Sequence, residues 1–170
     1  MNQRVVVTGF LLFLAVALAF VWGTSDGLPP LMASHFGPQG HADGFMPRSG
    51  YMGFILVLLL GIPLLLAFLP MALARMDVKS MNLPNGHYWL APERREQTFA
   101  FLRLHFIAFA SVLVVFMTYV HWLVVQANQL QPPQLSMPAI IAGLLALTAA
   151  LVVWLIVLFR RFGKGVEPGR

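Results

Sequence analysis

The chain has 170 residues, 59% of them hydrophobic and only 10% charged, with a formal net charge of +5 and no cysteine. A soluble domain carries roughly 25% charged residues, so this chain lacks the polar side chains needed to coat a water-soluble globule and reads as a membrane protein. The missing cysteine excludes disulfides, thioether-linked haem and thiolate metal sites. No nucleic-acid partner and no cofactor are expected, because the positive charge follows the membrane, as shown below.

Val5 to Trp22 carries no charge. At about 1.5 Å per residue a helix over it reaches roughly 27 Å, close to a hydrocarbon core about 30 Å thick, so a first span is expected over about 5–23. A cleaved signal peptide also fits the basic start and Ala17-Leu18-Ala19, but the apolar run continues through Phe20, Val21 and Trp22, which favours a retained span. The loop 24–50 follows and is the long polar segment of its side, with His35, His41, Asp43 and a series of prolines and glycines. A second span is expected over 51–73, with a kink near Gly61 and Pro63 because proline removes a backbone donor and crowds the preceding turn.

The loop 74–100 holds the turn signal Pro84-Asn85-Gly86. Pro92 followed by Glu93 marks a helix start, since proline suits the first helical position and an acid suits the positive end of the dipole. That helix should run without a break into a third span over 101–125, with Tyr88 and Trp89 in the headgroup layer just before it. An uncharged loop, 126–136, is broken by Pro132-Pro133 before a fourth span over 137–159. The predicted fold is an all-α membrane protein: four transmembrane helices in one helical bundle and one membrane domain.

Lysine and arginine divide unevenly. Arg4, Arg75, Lys79, Arg94, Arg95, Arg103, Arg160, Arg161, Lys164 and Arg170 fall on one side of a four-pass arrangement, and Arg48 alone falls on the other. The positive-inside rule makes the crowded side cytoplasmic. Both termini and loop 74–100 are then cytoplasmic, and loops 24–50 and 126–136 lie outside. The expected location is the bacterial inner membrane, crossed several times. Small residues repeat every four positions at Ala15, Ala19 and Gly23 and at Ala142, Ala146 and Ala150, with Ala139 and Gly143 beside the second set. Such stripes suit helix contact, within the chain or with another subunit, and equally suit ordinary alanine content.

His35, His41 and Asp43 are imidazole and carboxylate ligands within nine positions, and His121 could join them on a divalent ion. Their spacing matches no tight metal motif. The simpler reading makes His35 a hydrogen-bonded loop anchor and Asp43-Gly44 a turn pair. Ser34 and Ser49 lack the strand–turn–helix elbow of a nucleophile, and Gly37, Gly40 and Gly44 have turn spacing with no following lysine helix. Glu93-Arg94-Arg95-Glu96 reads as a solvated first helical turn, in which Arg94 and Arg95 could hold anionic lipid headgroups. No span has an ionisable residue near its middle, which argues against an ion pump formed by this chain alone. His105 and His121 lie nearer the ends of the third span and read as interfacial rather than as haem or pigment ligands.

Two stretches resemble a known family. Leu28-Pro29, His35-Phe36, Gly40, Asp43-Gly44 and Ser49 are similar to an "LP…HF…G…DG…S" pattern. Asn82, Pro84 and Asn85 with Tyr88, Trp89, Pro92, Glu93, Arg94 and Arg95 resemble an "NxPN…YWLAPERR" signature. Both are typical of a bacterial integral membrane family of unknown function, related to the immunity and signal-transduction protein of the sporulation-delaying toxin system. Together they cover about a third of the chain. The resemblance implies a non-enzymatic membrane protein of accessory, sensory or immunity type, or a small subunit docked in a larger membrane complex. The relative's immunity activity does not transfer on shared loops. The residues themselves suggest that Leu31, Met32, Phe36, Phe45 and Met46 lay the outer loop flat over the bundle, with His35-Phe36 pinning it. The alternative is a metal-assisted enzyme at the outer face using His35, His41 and Asp43.

Overall fold

The fold is built around one long helix. In the computed structural model, which describes residues 3–77, 81 and 83–163, the elements in chain order are α1 (Gln3–Ser25), β1 (Leu31–Phe36), β2 (Ala42–Pro47), α2 (Arg48–Leu73), α3 (Gly86–Trp89), α4 (Pro92–Asn128) and α5 (Met137–Phe162). The structure is mostly helical (74%). Four of the helices, α1, α2, α4 and α5, are long and apolar enough to cross a membrane. The 37 residues of α4 are more than a hydrocarbon core about 30 Å thick needs at about 1.5 Å per residue. Pro92 occupies the first turn, as the sequence led us to expect. α2 runs through Pro63 and Pro70 as one helix.

α4 packs against α1, α2 and α5 in turn. Each neighbour offers a narrow stripe. α1 buries Phe10, Leu14, Ala17 and Val21. α2 buries Tyr51, Ile55, Leu59, Pro63, Ala67 and Pro70, at near-constant four-residue spacing. These meet Ile107, Ala110 and Val114 of α4 in one apolar cluster. The opposite faces stay bare: Val16, Val57, Leu65, Leu145 and Val153 are 60–69% exposed. An apolar exterior of this extent needs lipid in place of water. α5 packs on α4 and, apart from Phe162 at its end, buries no residue fully.

The small-residue stripe of α1 does not make the contact its spacing suggested within this chain. Ala15, Ala19 and Gly23 are exposed, and nothing lies within 4 Å of a Cβ built on Gly23. On α5 the contact is real: a Cβ on Gly143 would stand 2.7 Å from the Tyr119 ring, and the Tyr119 hydroxyl donates to Ala139 O at 2.9 Å.

Contacts fix the order of helix ends. Thr24 of α1 and Tyr51 of α2 both reach His121, late in α4. At the other end Arg95 of α4 reaches Ala74 behind α2, and Asn85 reaches Phe162 of α5. The helices therefore alternate in direction. Arg4, Arg75, Arg94, Arg95, Arg160 and Arg161 gather at the end opposite Arg48, with Arg103 two turns further along α4 from Arg95. Lys79, Asn82, Lys164 and Arg170 lie outside the described residues.

The all-α expectation missed one element. The loop 24–50 contains an antiparallel hairpin of β1 and β2. The strands lie between turn residues where β-branched residues are few, so propensity and alternation gave no clear strand signal.

Candidate functional site

The hairpin and the helix ends beneath it form the candidate site. Gly40 makes the tight turn possible: its φ is +83°, a region where a side chain is strained, and a Cβ there would collide with Leu135 O. Its own carbonyl accepts from Leu135 N at 2.8 Å, which ties the turn to the second outer loop. Gly44 stands opposite His35 in the register, where a Cβ would come within 2.8 Å of the His35 Cβ. Asp43-Gly44 is therefore not the turn pair expected. It lies within β2, and the Gly37–Gly40 segment makes the reversal.

One face of the hairpin is fixed to the bundle. Met32 and Ala33 are fully buried, and Phe36 and Met46 pack on the core cluster. Asn128, at the end of α4, supplies the polar half of the joint. Its Oδ1 accepts from Ala33 N at 2.8 Å, and its Nδ2 donates to Ala33 O at 2.9 Å and to Val124 O at 2.9 Å. An edge strand exposes unpaired backbone groups, and this amide pairs both groups of one residue. Arg48 closes the base, donating through Nη1 to Leu28 O at 3.2 Å.

The other face points away from the helices. Leu31 is 62% exposed and Phe45 54%. Nearer the turn His35 Nδ1 meets Asp43 Oδ1 at 2.5 Å, with both side chains largely in solvent. The expected division of labour within His35-Phe36 is thus corrected. Phe36 pins the loop, and His35 faces outward on a cross-strand pair with Asp43. His41 forms an isolated bridge with Gln134, and among the described residues no group of three or more His, Cys, Asp or Glu is placed to hold a metal ion. The three-ligand site His35, His41 and Asp43 is not assembled.

Below the hairpin lies the arrangement that the sequence did not reveal. His121 is fully buried rather than interfacial. Its Nδ1 lies 3.0 Å from Tyr51 Oη, and its Nε2 lies 2.8 Å from Thr24 Oγ1. Thr24 has one hydroxyl proton and places it on Phe20 O at 2.7 Å, since a carbonyl can only accept. Thr24 must then accept from His121 Nε2–H, and Nδ1 must accept from the Tyr51 hydroxyl. The result is a one-way chain, Tyr51 to His121 to Thr24 to Phe20 O, with every proton placed. It ties α2, α4 and α1 together, and the Tyr51 and His121 rings stack at 5.8 Å. Both ring nitrogens are committed, so His121 is no metal ligand. His105 is likewise held, its Nε2 donating to Trp154 O at 3.0 Å while Trp154 Nε1 donates to His105 O at 3.0 Å.

The inner motif is a knot of helix ends. Asn85 sits at φ 54°, a left-handed position asparagine tolerates, and its Nδ2 donates to Phe162 O at 3.0 Å. Trp89 meets Phe162 edge-on, with the Arg161 guanidinium 4.8 Å from its ring. Arg95 donates to Ala74 O at 3.1 Å and Met76 O at 3.0 Å, satisfying carbonyls left at the end of α2. Arg94 lies 3.9 Å over the Tyr88 ring. Pro84 and Glu93 are exposed. Asn85, Trp89 and Arg95 thus each join this segment to another part of the bundle.

No family model, no curated protein and no solved structure matches this chain.

Proposed function

We propose that this chain is a non-enzymatic protein of the bacterial inner membrane, with both termini cytoplasmic and the hairpin outside, that presents the hairpin's free face to another protein. Its type is accessory, sensory or immunity-like, or a small subunit docked in a larger membrane complex. The loop resemblance to the sporulation-delaying immunity family points the same way. One observation carries the reading: a hairpin packed on α2 and α4 through one face holds Leu31 and Phe45 out on the other. Large apolar side chains on a rigid, exposed element mark a contact surface. The orientation rests on the arginine distribution and the positive-inside rule.

The test places a photo-crosslinking residue at Phe45, and separately at Val153 on the bare face of α5, in cells of the source bacterium. Position 45 should give a discrete protein adduct that Leu31→Glu abolishes without lowering the melting temperature. Equal, diffuse labelling at 45 and 153 would refute a docking role.

A further inference from the structure

We infer that the chain binds one anionic phospholipid in a groove between α1 and α4 at the end of the bundle opposite the hairpin. The groove, about 270 Å³, is lined by Gln3 and Val6 of α1 and by Phe101, Arg103, Leu104 and Ile107 of α4. Its chemistry is split. Val6, Leu104 and Ile107 offer an apolar wall to an acyl chain. Arg103 and Gln3 offer donors at the end where the arginines gather. The Nε of Arg103 is buried and has no hydrogen-bond partner. An unpaired buried donor is unfavourable, more so on a charged group, and a phosphate oxygen in the headgroup layer would relieve it.

Among the described residues no carboxylate lines the groove, so none of them would receive the ammonium of a zwitterionic headgroup. That favours a lipid with net negative charge, such as phosphatidylglycerol. Arg94 and Arg95 are less suited, being engaged with Tyr88 and with the carbonyls behind α2. The groove does not touch the hairpin, and lipid binding stands or falls apart from partner docking.

The experiment titrates the full chain, delipidated in a neutral detergent, with dioleoyl phosphatidylglycerol or dioleoyl phosphatidylcholine and counts bound lipid by native mass spectrometry. One phosphatidylglycerol should bind at least fivefold more tightly than phosphatidylcholine. Arg103→Ala should weaken it about tenfold, whereas Arg160→Ala, an equal charge loss on an exposed residue, should not. Leu104→Trp keeps the arginine and fills the groove from a position 46% exposed, where folding tolerates bulk, and should cause a similar loss. Equal binding of the two lipids, equal effects of Arg103→Ala and Arg160→Ala, or unchanged binding in Leu104→Trp would each overturn the site. Displacement of the lipid by millimolar inorganic phosphate would show a free-phosphate site instead.

Discussion

Replacing His121 by phenylalanine keeps a flat buried ring and removes both nitrogens. Two interhelical hydrogen bonds vanish, to Tyr51 at 3.0 Å and to Thr24 at 2.8 Å. Such bonds between membrane helices average about 0.6 kcal/mol, with a ceiling near 1.7. The two partners then fare differently. Thr24 keeps its bond to Phe20 O, but the Tyr51 hydroxyl is left buried without an acceptor. Stranding such a group costs about 1–3 kcal/mol, so the whole substitution should cost about 2–4 kcal/mol. Tyr51→Phe alone should cost about 1 kcal/mol, but on top of His121→Phe it removes the stranded hydroxyl and should regain about 1–3 kcal/mol. The coupling in that cycle is therefore about 2–4 kcal/mol. Unfolding in mixed micelles of increasing denaturing detergent, followed by tryptophan fluorescence, measures all four corners. Ser111→Ala, which removes a bond within one helix to Ile107 O, is the reference and should be near neutral. A coupling below about 0.3 kcal/mol, the ordinary scatter of independent sites, would refute the one-way chain.

Asn128→Leu keeps the volume and removes three hydrogen bonds at the hairpin joint. Amides of residues 31–47 should exchange at least tenfold faster, while those around Ala110 stay protected, as read by hydrogen exchange with mass spectrometry. Gly40→Ala should cost more than about 1 kcal/mol, because it combines a left-handed backbone with a collision at Leu135 O. Gly23→Ala, with open space around its Cβ, should leave the thermal midpoint unchanged or raise it slightly.

The spans were legible because each rests on a run of apolar residues long enough to cross hydrocarbon, and Pro92-Glu93 marked the start of α4 within the sequence itself. The alternation of helix direction was legible through the arginines. The hairpin was not, since its strands are short and His35, Asp43 and Gly44 look like loop chemistry. The Gly37-Pro38-Gln39-Gly40 run was the signal that could have found it, a turn segment between two stretches of similar length. Asn128 and Thr24 drew no attention because a single amide or hydroxyl near a helix end is common. Their roles depend on partners 95 and 97 residues away. His121 was placed at the interface from its distance to the end of the span. Its burial comes with partners on α1 and α2, Thr24 and Tyr51, which no periodicity shows. The inner motif was recognised as a unit. Its contacts were not legible, since Arg95 bonds the carbonyls of Ala74 and Met76, 21 and 19 residues away.

The central claim is that the hairpin lies outside the cytoplasm and the Asn85–Arg95 knot inside. The absence of native cysteine makes a direct measurement possible. Single cysteines at Gln39, on the hairpin turn, and at His87, in α3, would be exposed in intact cells to a maleimide that cannot cross the membrane. The account predicts labelling at 39 in intact cells and at 87 only after permeabilisation. Labelling at 87 with protection at 39 would contradict it.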